Sequence, residues 1–366
     1  MGIKVAHLPE GTSDAGAALA AKLGSPAVVV YFASPKFEPE ALAAAVAGAF
    51  PSATTFGCTS SGELVSGAMT KGAIVAMGFD ADVVSRAEVA FVDGVKTSVD
   101  GIDKAFSNWE TQIGTKMLDL DPERWLGIVL VDGLSGAEER VMDRIGNLTN
   151  VIFIGGSAGD DVAFKKTLVA ASGRAGSDAA VLALFECPNG FDVIKTQSFH
   201  ATRQFLVPTK VDKAAREVIE FNGKPAVAAY AEALGVKAED LAGQFMAHPL
   251  GLMIGGEPFV RSPQQVVGDS VRFFCGVDEG MKLAVLESTS IVSDTKSVLA
   301  GALQRNPRAK GLLNFNCILR TLELEATSQT EAYGKVFDAI QTVGFSTYGE
   351  EYMGHINQTA TMVLFR

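Results

Sequence analysis

Two features of this sequence could do chemistry: its four histidines, and a turn of small residues near the N-terminus. A haem iron needs one neutral imidazole with an open face, set among apolar walls. His248 lies in the most apolar surroundings of the four, whereas His355 lies in a polar loop before the last predicted strand. Any single histidine is more often hydrogen-bonded within a fold than bound to a metal, so spacing alone does not rank them.

The turn of small residues spans residues 57–63 and follows a short predicted strand. It has the glycine spacing of a phosphate-binding P-loop, but Glu63 stands where that loop needs lysine and would repel a phosphate. Its free backbone amides suit an anionic or carbonyl group of a ligand. The residues expected to contact that ligand are Gly57, Cys58, Thr59 and Ser60. The enzymatic alternative is a nucleophile at Cys58 or Ser60, although no histidine base lies close in sequence.

Two arginines follow apolar predicted strands in the C-terminal half and suit carboxylate recognition. Arg261 and Arg320 could each pair bidentately with a haem propionate or with an amino-acid ligand. Cys317 would line the same pocket, though a buried thiol more often behaves as a small apolar side chain. An ordinary salt bridge to one of the 42 acidic residues is the competing role for each arginine. Asp160 and Asp161 are a thin set of cation ligands, and we expect a solvated turn there.

Three segments share one order of predicted elements: a strand, a helix, and a second strand that ends in glycine. Their closing turns begin at residues 57, 155 and 344. In the second segment, Ser135 and Glu138 have the spacing of a helix capping box. Stretches rich in predicted strand, which favour antiparallel or mixed sheet, are residues 178–187, 192–200, 245–260 and 270–287.

These segments predict an α/β fold with two related halves, mixed sheets and an internal β-α-β duplication. The best boundary lies at Val207-Pro208, where a strand-rich run ends. We therefore expect one domain at residues 1–207 and a second at 208–366. The length of 366 residues agrees with about two domains.

Composition excludes several classes of protein. The 31 basic and 42 acidic residues give a net charge of −11, which argues against binding nucleic acid or an anionic membrane. The four cysteines are scattered without a C-x-x-C pair, so a zinc ribbon and c-type haem attachment have no support. No apolar run reaches about 18 residues, and the first residues lack the pattern of a signal peptide. We expect a cytoplasmic protein.

Four motifs, in their order along the chain, resemble the FIST family, whose name abbreviates F-box and intracellular signal transduction. They are the turns at residues 57–63 and 155–161, the segment 220–226, and the ending 344–359. The resemblance covers nearly the whole chain, as an N-terminal and a C-terminal FIST half. It implies a small-ligand sensor without catalytic activity that reports to separate signalling proteins. One departure is Asn222-Gly223, which lacks the carboxylate of the Asp-Gly that members often have there.

The ending is most similar to the NosP-like branch, whose members carry haem and sense nitric oxide. This similarity implies haem b, with His355 as the first choice of iron ligand and His248 as the second. It also implies ligand contacts from Tyr348, Glu350 and Asn357. The implied partner is a histidine kinase or a cyclic-di-GMP enzyme, either a diguanylate cyclase or a phosphodiesterase, and a homodimer is compatible with that role. Two alternatives stay open: a FIST sensor that binds an amino acid or small anion without haem, and a hydrolase or acyltransferase.

Overall fold

A computed structural model describes residues 2–366, and these residues contain three occurrences of one structural repeat. Each repeat has an edge strand, a helix, a β-α-β unit, a two-stranded hairpin and a last strand. Repeat 1 consists of β1 (Ile3–Leu8), α1 (Ala15–Leu23), β2 (Val28–Ala33), α2 (Pro39–Ala49), β3 (Thr54–Thr59), β4 (Glu63–Val65), β5 (Ala68–Thr70) and β6 (Ile74–Phe79). Repeat 2 consists of β7 (Arg86–Asp93), α3 (Gly101–Ile113), β8 (Trp125–Val131), α4 (Glu138–Leu148), β9 (Phe153–Ser157), β10 (Val169–Ala171), β11 (Arg174–Gly176) and β12 (Ala179–Glu186).

Repeat 3 begins with β13 (Phe191–Gln197) and is then interrupted by an insertion. The insertion contains β14 (Phe199–Leu206), β15 (Pro208–Asp212), β16 (Glu217–Phe221), β17 (Lys224–Pro225), α5 (Ala226–Leu234), β18 (Leu250–Ile254), β19 (Glu257–Arg261), β20 (Pro263–Val267), β21 (Ser270–Phe273) and β22 (Leu283–Ser288). Repeat 3 then continues with α6 (Ile291–Arg305), β23 (Gly311–Cys317), α7 (Ile318–Ala326), α8 (Thr330–Lys335), β24 (Thr342–Thr347), β25 (Glu350–Tyr352), β26 (His355–Ile356) and β27 (Thr359–Phe365). Short 3₁₀ helices cover Met117–Asp119 and Ala238–Gln244.

Each repeat forms a six-stranded sheet with the same strand order, and each sheet is completed by a hairpin from another repeat. The first sheet runs β1-β6-β2-β3-β10-β11, the second β7-β12-β8-β9-β25-β26, and the third β13-β27-β23-β24-β4-β5. Repeat 1 thus contributes its hairpin β4-β5 to sheet 3, and repeat 3 contributes its hairpin β25-β26 to sheet 2. Repeat 2 contributes its hairpin β10-β11 to sheet 1. This exchange closes a ring of three and extends the predicted duplication to a threefold repeat.

The predicted β-α-β units are confirmed as the parallel strand pairs β2/β3, β8/β9 and β23/β24. The second strand of each pair carries a glycine at the same position: Gly57, Gly155 and Gly344. A Cβ atom at these positions would lie 2.0, 1.7 and 2.1 Å from the carbonyl oxygen of the residue paired with it in the first strand. Because that oxygen belongs to the backbone of a central strand, it cannot move aside, and each position requires glycine.

The three sheets enclose one shared apolar core, and helices cover their outer faces. In this core the ring of Phe32 stacks on Phe345 with centroids 4.4 Å apart, and Phe79 contacts Phe365 at 4.9 Å. Helices α1 and α2 pack on the first sheet, α3 and α4 on the second, and α6 to α8 on the third. The predicted α/β class with mixed sheets is therefore confirmed. Within residues 2–366, no helix combines the length and apolar character that a membrane crossing requires.

The insertion forms two smaller antiparallel sheets with a core of their own. Their strand orders are β14-β22-β18-β19 and β15-β16-β21-β20, with β17 beside β16. The side chains of Phe221, Tyr230 and Phe273 pack together between these sheets and α5. The strand-rich stretches predicted at 245–260 and 270–287 lie here, while the boundary at residue 207 stays a prediction.

The predicted capping box at the start of α4 is wrong. The hydroxyl of Ser135 accepts a hydrogen bond from the amide of Ala137 at 3.2 Å, before the helix begins. Glu138, the first residue of α4, directs its carboxylate to Arg216 in the insertion, at 2.8 Å. An acidic residue that suits a capping motif in sequence is therefore used in a contact between distant segments.

We expect Gly155→Ala to destabilise the protein by about 3 kcal/mol, because the new methyl group would overlap the carbonyl of Val129. The matched control is Gly146→Ala in α4, where no atom lies within 4 Å of the added Cβ. This control should be neutral or stabilise by up to about 1 kcal/mol, since alanine is the better helix former. Urea unfolding followed by circular dichroism measures both, and equal stability of the two variants would contradict the close strand approach.

Candidate functional site

The three glycine turns, at residues 57–63, 155–161 and 344–350, meet in space and bond to one another in a ring. The amide of Ser61 donates to the carbonyl of Ser346 at 3.1 Å. The amide of Tyr348 donates to the carbonyl of Ser157 at 3.1 Å, and the amide of Gly159 donates to the carbonyl of Thr59 at 3.0 Å. Each turn therefore contacts both of the others. We call this assembly the turn ring, and it fixes the places from which the exchanged hairpins leave.

Each exchanged hairpin packs against a helix of the repeat that receives it, and all three of these equivalent interfaces contain a cavity. Between hairpin β10-β11 and α2 the cavity has a volume of only about 10 Å³, and Phe37, Leu42 and Leu168 are among the side chains that line it. Between hairpin β4-β5 and α7 it holds about 220 Å³. Between hairpin β25-β26 and α4 it widens to about 940 Å³. This last cavity, which we call the cleft, has the size of a ligand pocket, roughly 300–1,000 Å³.

The cleft is larger than its two counterparts because the insertion forms an additional wall, at residues 213–216 and 264–278. Its apolar lining includes Leu134, Phe164, Phe274, Ile318, Leu319 and Leu322. Its cationic lining consists of Lys96, Arg140, Lys213, Arg216 and Arg272. Its acidic lining consists of Glu138, Glu139, Asp143 and Asp278. A pocket with apolar surface and charged groups of both signs suits a ligand with a large hydrophobic body and polar substituents.

His355 lines the cleft from hairpin β25-β26, and a carboxylate fixes its ring. Its Nδ1 lies 3.0 Å from Oε1 of Glu351, and both side chains are buried. The ring packs directly on Gly349, where a Cβ would lie 2.0 Å from Cε1 of the imidazole. Nε2 makes no hydrogen bond to another described residue. A carboxylate on one ring nitrogen with the other nitrogen free is the arrangement that orients histidine ligands in metal sites.

A network of buried charges surrounds His355. Burial opposes the charge of the imidazole, but Glu351, Glu138 and Glu139 together raise the pKa of His355 to about 9. Burial also acts against ionised Glu139, yet His355 and Arg216 hold its pKa below the usual value. Arg216 donates to Glu138 at 2.8 Å and to Glu139 at 2.6 Å. The network therefore joins the histidine to the insertion through α4.

Of the ligand residues predicted from sequence, His355 and Tyr348 come together in the cleft. The hydroxyl of Tyr348 donates to the carboxylate of Asp160, and its ring stacks on Phe164 with centroids 5.0 Å apart. Because the amide of Tyr348 is part of the turn ring, this side chain connects the ring to the cleft. Asp160, expected in a solvated turn, is buried.

The four predicted residues of the first glycine turn are buried core positions outside the cleft: Gly57, Cys58, Thr59 and Ser60. Cys58 and Thr59 line the smallest of the three cavities. Burial raises the pKa of the Cys58 thiol well above its usual value, which disfavours the thiolate. Ser60 donates to Glu63 at 2.5 Å. Both side chains are buried, at 3% exposure for Cys58 and 0% for Ser60.

Glu350 is a buried carboxyl group that holds the start of the last strand. It accepts hydrogen bonds from the hydroxyl of Thr347 at 2.6 Å, and from the hydroxyl and amide of Thr359 at 2.7 and 3.1 Å. The thiol of Cys317 lies beside it. Burial raises the pKa of Glu350 to about 7, and Glu63, in the equivalent place of the first turn, has its pKa raised to about 7 for the same reason. These positions support the fold around the turn ring.

The two predicted arginines lie outside the lining of the cleft. Arg320 is 1% exposed and is bound by neutral groups. It donates to the oxygens of Asn316 (3.1 Å), Ser198 (3.3 Å) and Thr295 (2.8 Å). Arg261 donates to its neighbour's carbonyl at 3.3 Å, and its buried Nε has no hydrogen-bond partner in the described chain.

The remaining predicted residues also lie apart from the cleft lining. His248 is half-buried, and its Nδ1 lies 3.1 Å from the carbonyl of Leu286. Asn357 is buried, and neither polar atom of its side chain has a partner among residues 2–366. Within the same residues, no group of three or more His, Cys, Asp or Glu side chains is arranged to hold a metal ion.

Sequence reasoning missed the charged residues of the cleft. Arg216 lies in the turn between β15 and β16 of the insertion, and Arg272 lies in β21. Nothing local in the sequence relates either residue to His355. One available signal was the acidic pair Glu138-Glu139 in the first turn of a predicted helix. The capping-box pattern assigned Glu138 to the end of its own helix instead.

Comparison with family models agrees with the order of the motifs. A FIST N domain model matches residues 27–224, and a FIST C domain model matches residues 226–353. The chain belongs to the FIST family. FIST domains are small-ligand sensors in signal transduction, so membership indicates sensing rather than catalysis. The change from one model to the other falls inside the insertion, between β17 and α5.

One relative of this FIST protein is the uncharacterized protein MJ1623 of Methanocaldococcus jannaschii. The two are 28% identical over 197 residues, which is 50% of this chain and 38% of the relative. The chain thus spans about two fifths of that protein's length.

We expect the free energy of unfolding to fall as the pH rises from 4.5 through about 7, in part because of Glu350. A carboxyl group whose pKa is higher in the folded state binds its proton more tightly there, so its contribution is complete below pH 4.5 and is lost above the folded pKa. In Glu350→Gln this part of the slope should disappear, a difference on the order of 2 kcal/mol.

Urea unfolding at a series of pH values measures this slope. The control is Glu239→Gln, which replaces a carboxylate whose side chain is 74% exposed and should leave the slope unchanged. An identical slope in Glu350→Gln and the wild type would show that Glu350 ionises normally.

Proposed function

We propose that this FIST protein senses nitric oxide through haem b bound in the cleft, with His355 as the protein ligand of the iron. The observation that supports this proposal is the setting of His355 in a pocket of about 940 Å³. Its Nδ1 is occupied by Glu351 at 3.0 Å, which leaves Nε2 as the coordinating atom.

The residues of the cleft fit haem in shape and charge. Phe274, Leu319 and Leu322 provide apolar surface for a macrocycle. Arg272 lines the same space. Its Nη2 donates to Glu217 at 3.2 Å, whereas its buried Nε has no hydrogen-bond partner in the described chain and is the group we assign to a propionate. Lys96 is a second cation of the lining. A single histidine suffices for haem, so a cluster of several metal ligands is not required.

When bound, haem supplies an iron site that takes up nitric oxide. The chain's own contribution begins with Glu351, which holds the imidazole in one orientation. Because the surrounding carboxylates raise the pKa of His355 to about 9, the imidazole carries two protons at neutral pH. Coordination through Nε2 requires loss of one of them, so hemin should bind more tightly as the pH rises towards 9.

The hydrogen-bond network offers a path from the cleft to a partner. A change in the position of His355 alters its interaction with Glu138 and Glu139, and both carboxylates bind Arg216 of the insertion. A ligand that favours one arrangement of this network changes which position of the insertion is most populated, and a partner protein can recognise that change. A separate histidine kinase or cyclic-di-GMP enzyme, such as a diguanylate cyclase or phosphodiesterase, is the partner we propose.

The second candidate is a FIST sensor that binds a small anion or amino acid without haem. The cations of the cleft favour it, since Arg140 and Arg272 line the same space as the acidic Glu139 and Asp143. Arg261 and Arg320, the arginines first considered for this role, do not line the cleft. A hydrolase is disfavoured because Cys58 and Ser60 are buried.

Titration of the purified protein with hemin, followed by absorbance, tests the proposal. We expect the wild type to give a Soret band that shifts when nitric oxide is added, whereas His355→Ala loses high-affinity binding. Glu351→Gln should weaken hemin binding by about 10- to 100-fold, since it removes the group that orients the ligand.

His248→Ala is the matched control, because His248 is half-buried and lies outside the cleft lining. It should bind hemin as the wild type does. Loss of binding in His248→Ala with retention in His355→Ala would reverse the assignment of the ligand. A wild type that stays colourless but gains thermal stability from an amino acid would favour the second candidate.

A further inference from the structure

Residues 161–166, which we call the strap, border the cleft in a strained backbone conformation. The φ angles of Asp161, Val162 and Phe164 are 56°, 65° and 51°, all in the left-handed region. This region is unfavourable for residues with a side chain, and most of all for β-branched valine. Three such residues within four positions persist only if other contacts hold them.

Asp160 supplies these contacts. One oxygen of its buried carboxylate accepts from the amide of Phe164 at 2.9 Å, and the other accepts from Lys165 at 2.6 Å and Lys166 at 2.9 Å. The hydroxyl of Tyr348 donates to the same carboxylate. Hydrogen bonds to an ionised group are stronger than neutral ones, so the Asp160 carboxylate holds the strap at three amides and joins it to the turn ring. A weaker contact is the bond from the hydroxyl of Ser34 to Asp161 at 3.2 Å.

The strap presents the ring of Phe164 to the cleft. That ring stacks on Tyr348 with centroids 5.0 Å apart and planes inclined by 24°, and both residues line the cleft. Phe164 is nevertheless 54% exposed, which is high for an aromatic side chain within a fold. Its uncovered surface is available to a flat, conjugated ligand that enters the same space.

We propose that Asp160 is a positioning residue, which holds the strained strap so that Phe164 closes on a flat, conjugated ligand in the cleft. The positioning part concerns the protein without ligand. The stacking part rests on the proposed function, because hemin is its probe. The two parts are tested by separate measurements.

Trypsin digestion of the ligand-free protein tests the positioning part, because Lys165 and Lys166 are cleavage sites within the strap. We expect Asp160→Asn to raise the rate of cleavage after these lysines by about tenfold, since charge-assisted bonds to three amides are lost. Asp161→Asn is the matched control, which removes the neighbouring carboxylate but keeps a residue that tolerates the left-handed region. Adding Val162→Asn to Asp160→Asn should lower the rate again, because it relieves strain.

Mass spectrometry of the fragments assigns the cleavage sites, and circular dichroism with thermal unfolding establishes that each variant folds. An Asp160→Asn protein that folds and is cleaved at the wild-type rate would overturn the positioning role. Equal acceleration in Asp161→Asn would overturn it as well, because it would show that any loss of charge loosens this segment.

Release of hemin to an excess of apomyoglobin tests the stacking part. We expect Phe164→Ala to raise the dissociation rate by about tenfold, while Phe164→Trp keeps it near the wild-type value. Leu118→Ala is the control, since Leu118 is similarly exposed, at 57%, but lies outside the cleft lining. An unchanged rate in Phe164→Ala would overturn the stacking role. A wild type that takes up no hemin would refute the haem proposal and the stacking role together, and the digestion of the ligand-free protein would still decide the role of Asp160.

Discussion

The close approach of a glycine to the carbonyl oxygen of a neighbouring strand is the constraint on which the rest of the structure depends. It occurs once in each repeat, at Gly57, Gly155 and Gly344. Each glycine lies in the strand that leads into the turn ring, from which the chain passes to the hairpin of a neighbouring sheet. The same constraint therefore recurs at all three places where the chain leaves its own sheet.

The candidate site lies where the fold departs from its threefold symmetry. The same interface between hairpin and helix occurs three times, yet only the one beside the insertion opens to the size of a ligand pocket. There, the hairpin carries His355, the helix carries an acidic pair, and the insertion carries Arg216. The interface beside the insertion thus combines a histidine, an acidic pair and an additional wall.

The sequence contains enough information for the local units but not for their exchange. Short apolar runs, the helical spacing of apolar residues and the glycine that ends each second strand predicted all three β-α-β units, because these features act over about 30 residues. Hairpin β25-β26 pairs with a strand nearly 200 residues earlier, and no local pattern records that contact. Arg320 shows the same limit: a strand-end arginine suited a ligand carboxylate, but the amide oxygen of nearby Asn316 and hydroxyl groups of two distant segments bind it instead.

The circular exchange of hairpins also has a consequence for how the chain folds. Sheet 2 waits for residues 350–356, and sheet 3 waits for β24 and β27, so two of the three sheets stay incomplete until the last tenth of the chain has been synthesised. During that interval β9 is an open edge, which is a template for the hairpin of another molecule. The architecture therefore favours folding in a single cooperative step and makes intermolecular strand swapping its characteristic route of misassembly.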